Sequence, residues 1–469
     1  MPEQFLHGVE IVEASDGVRS IQTVRSSVIG LVGTAPKGPV NTPVLILGSR
    51  TDAVKQFGKG VGSIPDALDA IFDQIGAMVV VINVLDPATH KEAVEAAEYT
   101  FSANDQIMLP DGYVSGVVVK DQTGAVTYVE NTDYAIANAD TDAPVITRLA
   151  GGSIAEAAVV QVNYDKPDPT AVAAGDVVGG VDGVTGAYEG VHALLSAEGV
   201  VHVKPKILCA PGYTGDRPED LANPVVSELL SIADRLRAVI IADGPNTTDA
   251  DAITYRGDWG SRRVYVVDPQ VKVYDTDTAG YIDMPASARV AGIIARTDAE
   301  LGFWWSPSNK LMYGIGGTSR PVDFSLGDPN SRANFLNENE VATIINQDGY
   351  RLWGNRTCSD DAKWAFLSVV RTADMMHESL QAAHLWAVDR NITKTYLEDV
   401  TEGVNAYLRH LTTIGAILGG SCWADPELNA ADQIAAGKVY FDFDFTPPSP
   451  AEHVTFRSHL VNDYIEEIF

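Results

Sequence analysis

Ser319 lies in "GIGGTSRP" (Gly314–Pro321), a glycine-rich turn of the kind that can present a serine hydroxyl for attack on an acyl group. Such a serine needs a base and an orienting acid within hydrogen-bond reach. The only His-Gly pair is His7-Gly8, close to the N-terminus, and Arg320-Pro321 follows the serine in place of a small residue. A turn is therefore expected, not a nucleophile. Asp243 and Asp268 end apolar runs, at the edge where open α/β sheets bind ligands. Aspartates there also begin turns and cap helices, and no phosphate-binding glycine motif accompanies them; "GKGVGS" is not one. "DTDTAG" (Asp275–Gly280) starts like a calcium loop, but Ala279 and Ala286 stand where oxygen ligands belong. The nine histidines are scattered, with no H-E-x-x-H and no C-x-x-C. No catalytic residue, no metal ligands and no cofactor are expected.

The elements that would have to position a site are more telling. The 469-residue chain is 45% hydrophobic and 20% charged, enough for about three domains. Its formal charge of −30 argues against nucleic acid and anionic membranes as partners, and would keep a free subunit in solution. No apolar run approaches the roughly 18 residues of a membrane span, and "MPEQFLHGVE" lacks the marks of a signal peptide. A product made and assembled in the cytoplasm is expected. Cys209, in "KILCAPG", reads as a small buried hydrophobe. A Cys358–Cys422 bridge is not expected in a reducing compartment.

Residues 1–23 read as a polar extended arm. "SSVIGLVGTAP", "PVLILGS" and "AMVVVINVL" are apolar strands alternating with helical stretches, an α/β pattern that stops near Pro87 and resumes near Lys204. Asn223-Pro224 begins a helix whose stripe is Val226, Leu229, Leu230, Ala233 and Leu236. The α/β domain thus spans 24–97 and 190–345. Between them, residues 98–189 carry short β-branched runs separated by Asp, Gly and Asn turns, expected to form an inserted β-sandwich. Residues 346–450 form an α+β C-terminal domain, with Ser359 capping one helix and Leu397, Val400, Val404, Leu408 and Leu411 on one face of a second.

The end of the chain poses a packing problem. Val439, Phe441, Phe443 and Phe445 alternate with polar residues, as in a half-buried strand. Three prolines between Thr446 and Pro450 follow, unsuited to a tight hairpin. Val454, Phe456 and Leu460 then share one side of another extended run within 451–469, an arm strand whose partner must be found elsewhere.

"GFWWSPSNK" (Gly302–Lys310), "GTSRPVDF" (Gly317–Phe324), "DGYRLWGNRT" (Asp348–Thr357) and "WAVDRNITKTYLEDVTEGV" (Trp386–Val404) resemble contractile tail sheath proteins, nearest to those of P2-like phages and R-type pyocins. "FLHGVEIVE", "IADGPNTTD" (Ile241–Asp249) and "GKVYFDF" extend the resemblance over most of the chain outside the insertion, a segment that compact members lack. It implies a subtilisin-like α/β fold without protease activity, and a subunit stacked in hexameric discs around a tail tube. It also implies that contraction drives the tube through a target-cell envelope. Implied partners are further copies of the chain, the tail tube protein, and baseplate and tail terminator proteins. Val454, Phe456 and Leu460, with Val9 and Ile11 of the N-terminal arm, are the expected inter-subunit strand residues. Arg390, Lys394 and Arg409 are candidate tube contacts. The rival reading is an α/β hydrolase-like enzyme with a β accessory domain.

Overall fold

The computed structural model describes residues 21–276 and 278–461, so Val9 and Ile11 lie outside the described residues. The chain divides into two compact units. One comprises Ser26–Arg371 together with the segment from Ser449; the other comprises Thr372–Pro448 together with residues 21–25.

The larger unit is built on a nine-stranded sheet. In spatial order its strands are Lys310–Leu311, Tyr350–Trp353, Val341–Asn346, Val264–Val267, Val239–Asp243, Ile207–Cys209, Ile29–Gly33, Met78–Asn83 and Val44–Leu47. The strands from Val341–Asn346 to Met78–Asn83 are parallel, and the outer ones antiparallel. Ile29–Gly33, Val239–Asp243 and Val264–Val267 are buried along their whole length, as continuous β-branched runs should be when helices cover both faces. Ile29, Leu31, Ile207 and Ile241 face helices Ser63–Phe72 and Ser287–Glu300. Val32, Leu208 and Ile240 face helix Pro224–Leu236 on the other side. That helix starts as expected, Asn223 Oδ1 accepting from the N–H groups of Val225 and Val226 ahead of Pro224 at its first position.

The insertion consists of two three-stranded antiparallel sheets about one core of Phe101, Ile107, Val119, Tyr134, Ile146, Val160 and Val162. It begins earlier than position 98. Strand Lys91–Thr100 pairs with Val159–Pro167, placing Lys91 opposite Pro167, and Asp168 N–H donates to His90 C=O at 3.0 Å. The chain therefore enters and leaves the insertion side by side. The glycine-rich return belongs to the α/β core instead, where Val172, Val177 and Val191 are buried. Lys37–Asp140 (2.9 Å), Lys59–Asp142 (2.8 Å) and the Lys59 N–H bond to Tyr113 Oη (2.7 Å) tie the insertion to the loops beneath it.

Two further expectations change. Tyr350–Trp353, read as part of the C-terminal domain, pairs with Val341–Asn346 in the large sheet, and that unit extends to Arg371. Ser359 caps no α-helix; Asp361 caps a single 3-10 turn, Ala362–Trp364, and the long helix begins only at Leu367.

Candidate assembly surfaces

The polar groups at the strand ends serve packing. Asp243 is buried and accepts from the Ser287 N–H and hydroxyl and from Thr214 Oγ1, anchoring the first turn of helix Ser287–Glu300. Burial outweighs those bonds and pushes its carboxyl up to about 6. Asp268 has no exposed side-chain surface; it accepts from Asn246 N–H and is paired with Arg320. Ser319 donates its hydroxyl to Asn246 Oδ1, and Arg320 also engages Asp249, which Arg332 holds from its other side. Ser319 thus has no histidine base among the described residues. The motifs 241–249 and 317–324, distant in sequence, form one ion-pair network. In the same way 302–310 and 348–357 meet: Asn309 N–H donates to Leu352 C=O and Ser308 Oγ accepts from Gly354 N–H. The Asp275–Gly280 segment is a hairpin turn in which Asp275 accepts from Thr278. No metal-competent cluster occurs among the described residues. Cys209, Cys358 and Cys422 are free and buried.

A buried ion pair sits where the large unit meets its outgoing chain. Arg371 makes bidentate bonds of 2.7 and 2.6 Å to Asp298, and both side chains are almost wholly inaccessible. Arg371 also donates to Ser26 C=O and Ser27 Oγ to Asp298, so the pair secures the start of the unit as well as its end.

The smaller unit contains helices Leu367–Ala383 (from Thr372) and Lys394–Thr413, with a two-stranded sheet of Gly419–Ala424 and Phe441–Thr446. Val400, Val404, Tyr407, Leu408 and Leu411 are the buried stripe of the second helix; Leu397 is only half-buried. The sheet has unequal edges. Asn405 accepts from Cys422 N–H (2.8 Å) and donates to Cys422 C=O (2.9 Å), occupying the outer side of the Gly419–Ala424 strand. Those Cys422 groups point away from the partner strand. By the alternation of antiparallel pairing, the backbone groups of Phe443 opposite them also point outward. Phe441, Phe443 and Phe445 thus line an edge that carries no further strand among the described residues.

The candidate tube contacts are all exposed. Arg390 lies over the Trp386 ring at 5.0 Å, Lys394 is 3.6 Å from Glu398, and Arg409 is 3.6 Å from Glu402. Lys394 opens the helix and Arg390 precedes it by four residues; Arg409 lies about 22 Å beyond Lys394 along the helix. The terminal segment is more open still. Residues 451–461 form no strand and are all exposed, with Val454, Phe456 and Leu460 at 63%, 93% and 100%.

Three family models match the chain. They are the phage tail sheath protein central domain (residues 186–358), the phage tail sheath C-terminal domain (359–460) and the tail sheath protein Gp18 domain III N-terminal region (26–84). The chain belongs to the phage tail sheath family. The tail sheath protein of Burkholderia phage BcepMu is 39% identical over 99% of this chain and 98% of its own. A putative prophage major tail sheath protein of Pseudomonas aeruginosa is 38% identical, and the tail sheath protein of Escherichia phage P2 is 31% identical, with the same coverage. The three family models leave residues 85–185, which include the insertion, unmatched. The fold is that of the anti-feeding prophage helical sheath in its contracted state, at a TM-score of 0.60 and 18% identity, covering 97% of this chain and 99% of that one. The PVC contractile injection system sheath is similar, at 0.59 and 14%, covering 99% of each. This sheath protein is a structural component of a contractile tail; the hydrolase-like alternative is set aside.

Proposed function

We propose that this sheath protein polymerises as stacked hexameric discs around a tail tube, neighbours being joined by terminal β-strands, and that contraction of the polymer drives the tube through a target-cell envelope. One observation carries the reading: the Val454–Leu460 run has strand periodicity and exposed apolar residues, yet no partner strand among the described residues. An extended segment of this kind is stabilised by adding to the edge of another sheet, where backbone bonds supply affinity and alternate side chains set register. The Phe441–Thr446 strand offers such an edge, and its opposite neighbour is closed by Asn405. A head-to-tail contact that does not close on itself propagates into a helical polymer.

The α/β unit is read as subtilisin-like in fold only. The smaller unit faces the tube, with Arg390, Lys394 and Arg409 in contact with the tube protein; Val9 and Ile11 belong to a second joining arm. Baseplate and terminator proteins cap the two ends. The solved relatives include sheaths in the contracted state and a baseplate, which supports that setting. Assembly takes place in the host cytoplasm and the product resides in the virion tail or a bacteriocin particle.

Negative-stain microscopy of a chain ending at Pro450 tests the proposal. The expected outcome is a folded monomer with an unchanged helical circular-dichroism signal and no tubes, against ringed tubes for the full chain. Tubes of normal appearance from the shortened chain would exclude the arm.

A further inference from the structure

The exposed segment forms no strand along its length, but its root is held. Glu452, two residues before Val454, receives a bidentate pair from Arg356 Nε (2.8 Å) and Nη2 (2.5 Å). Arg356 is itself held in place. Its guanidinium lies 5.4 Å over the Phe366 ring, and its backbone bridges Phe366. Thr357 N–H to Ala365 C=O and Leu367 N–H to Asn355 C=O close the ladder on either side. The pair is little more than a third exposed on each partner, and Glu452 raises the Arg356 pKa above its ordinary value. The geometry is therefore a socket for one residue of an otherwise unpaired segment.

We propose that Arg356 and Glu452 form a clasp that aims the C-terminal strand at the neighbouring copy, making both positioning residues for assembly and leaving neither in the interface itself. The proposal rests on the arm reading above. A tethered strand whose origin and direction are fixed loses less conformational freedom on docking and presents itself at a higher effective concentration. A bidentate pair at a fixed site supplies that without adding contact area.

The test uses full-length protein. Glu452→Gln should raise the critical concentration for tube formation roughly fivefold at low salt, the upper end for a partly exposed pair. It should also speed tryptic cleavage after Arg457 in the monomer, and leave the melting temperature unchanged. The charge swap Arg356→Glu with Glu452→Arg should return both readouts towards wild type, because the pair is restored in reverse. An unchanged critical concentration or cleavage rate in Glu452→Gln overturns the clasp. So does a swap as impaired as the single variant, which would place the two residues against another molecule. If the chain ending at Pro450 forms no tubes while Glu452→Gln matches wild type, only the clasp fails. Tubes from the shortened chain would instead remove the arm reading beneath it.

Discussion

The large sheet and the C-terminal strand are made of the same material, alternating or continuous β-branched and aromatic residues, and they end in opposite states. In the large unit, polar groups at strand ends and on the covering helices are paired within the chain: Asp243 with Ser287 and Thr214, Asp268 with Arg320 and Asn246, Arg371 with Asp298. In the terminal segment the apolar side chains of Phe456 and Leu460 face solvent almost entirely. On the arm reading proposed above, a residue in the first region acts on the stability of the monomer, whereas an apolar residue in the second acts when a second copy is present. A subunit that polymerises through such a segment needs both, a body that folds by itself and apolar surface left for a neighbour.

The sharpest way to break this contrast is to damage each region once. Phe456→Asp puts a carboxylate where the arm reading buries an apolar ring, a cost of several kcal/mol to a link made of a few net hydrogen bonds. Tubes should be lost, while the monomer melts at its usual temperature. A lowered melting temperature would show that Phe456 packs within its own chain. Arg371→Leu is the converse experiment. It strands Asp298 as a buried charge and should lower stability by about 3–5 kcal/mol, read as an earlier urea transition in the monomer. A shift below about 1 kcal/mol would show that water reaches the site.

Asp243 sharpens the comparison through pH. Its folded pKa, about 6, lies above the ordinary carboxylate value of 3.8, so the folded state holds the proton more tightly than the unfolded one. Its contribution is therefore most favourable below pH 4 and is lost as pH rises through 6. Asp243→Asn should gain roughly 2–3 kcal/mol relative to wild type between pH 4 and pH 7. Parallel urea-midpoint profiles for the two proteins would reject the assignment.

Two smaller effects concern the periphery. Because Lys91 and Pro167 are paired, residues 91–167 can be replaced by a short Gly/Ser linker without separating the flanking chain. Tubes should still assemble. The monomer should lose little, since Lys37–Asp140 and Lys59–Asp142 are exposed pairs worth at most about 1 kcal/mol each. Failure of a folded variant to assemble would give the insertion a part in the mesh. Charge reversal at Arg390, Lys394 and Arg409 should lower co-sedimentation with the tube protein, most visibly at low salt where exposed charges are least screened, while self-polymerisation continues. Unchanged co-sedimentation would remove these residues from the tube surface.

Much of this was legible in the residues themselves. Period-two and continuous apolar runs imply half-buried and fully buried strands, because side-chain direction along a strand is fixed by covalent geometry. Asn223-Pro224 marks a helix start for an equally local reason, since both the cap bond and the proline φ act within one turn. The prolines between Thr446 and Pro450 signalled that no tight hairpin follows. What the residues could not decide depends on contacts between distant segments. The insertion starts at Lys91 because that strand's partner lies at Val159–Pro167, and no local property of "KEAVEAAEYT" distinguishes it from helix. Tyr350–Trp353 joins the large sheet because Val341–Asn346 is its neighbour, though composition shifts just before it. Asn405 closes one sheet edge, and Arg356 holds Glu452, only through tertiary proximity. Local periodicity is set by bond geometry and can be read from a string. Which polar group finds which partner is set by the folded chain's three-dimensional path.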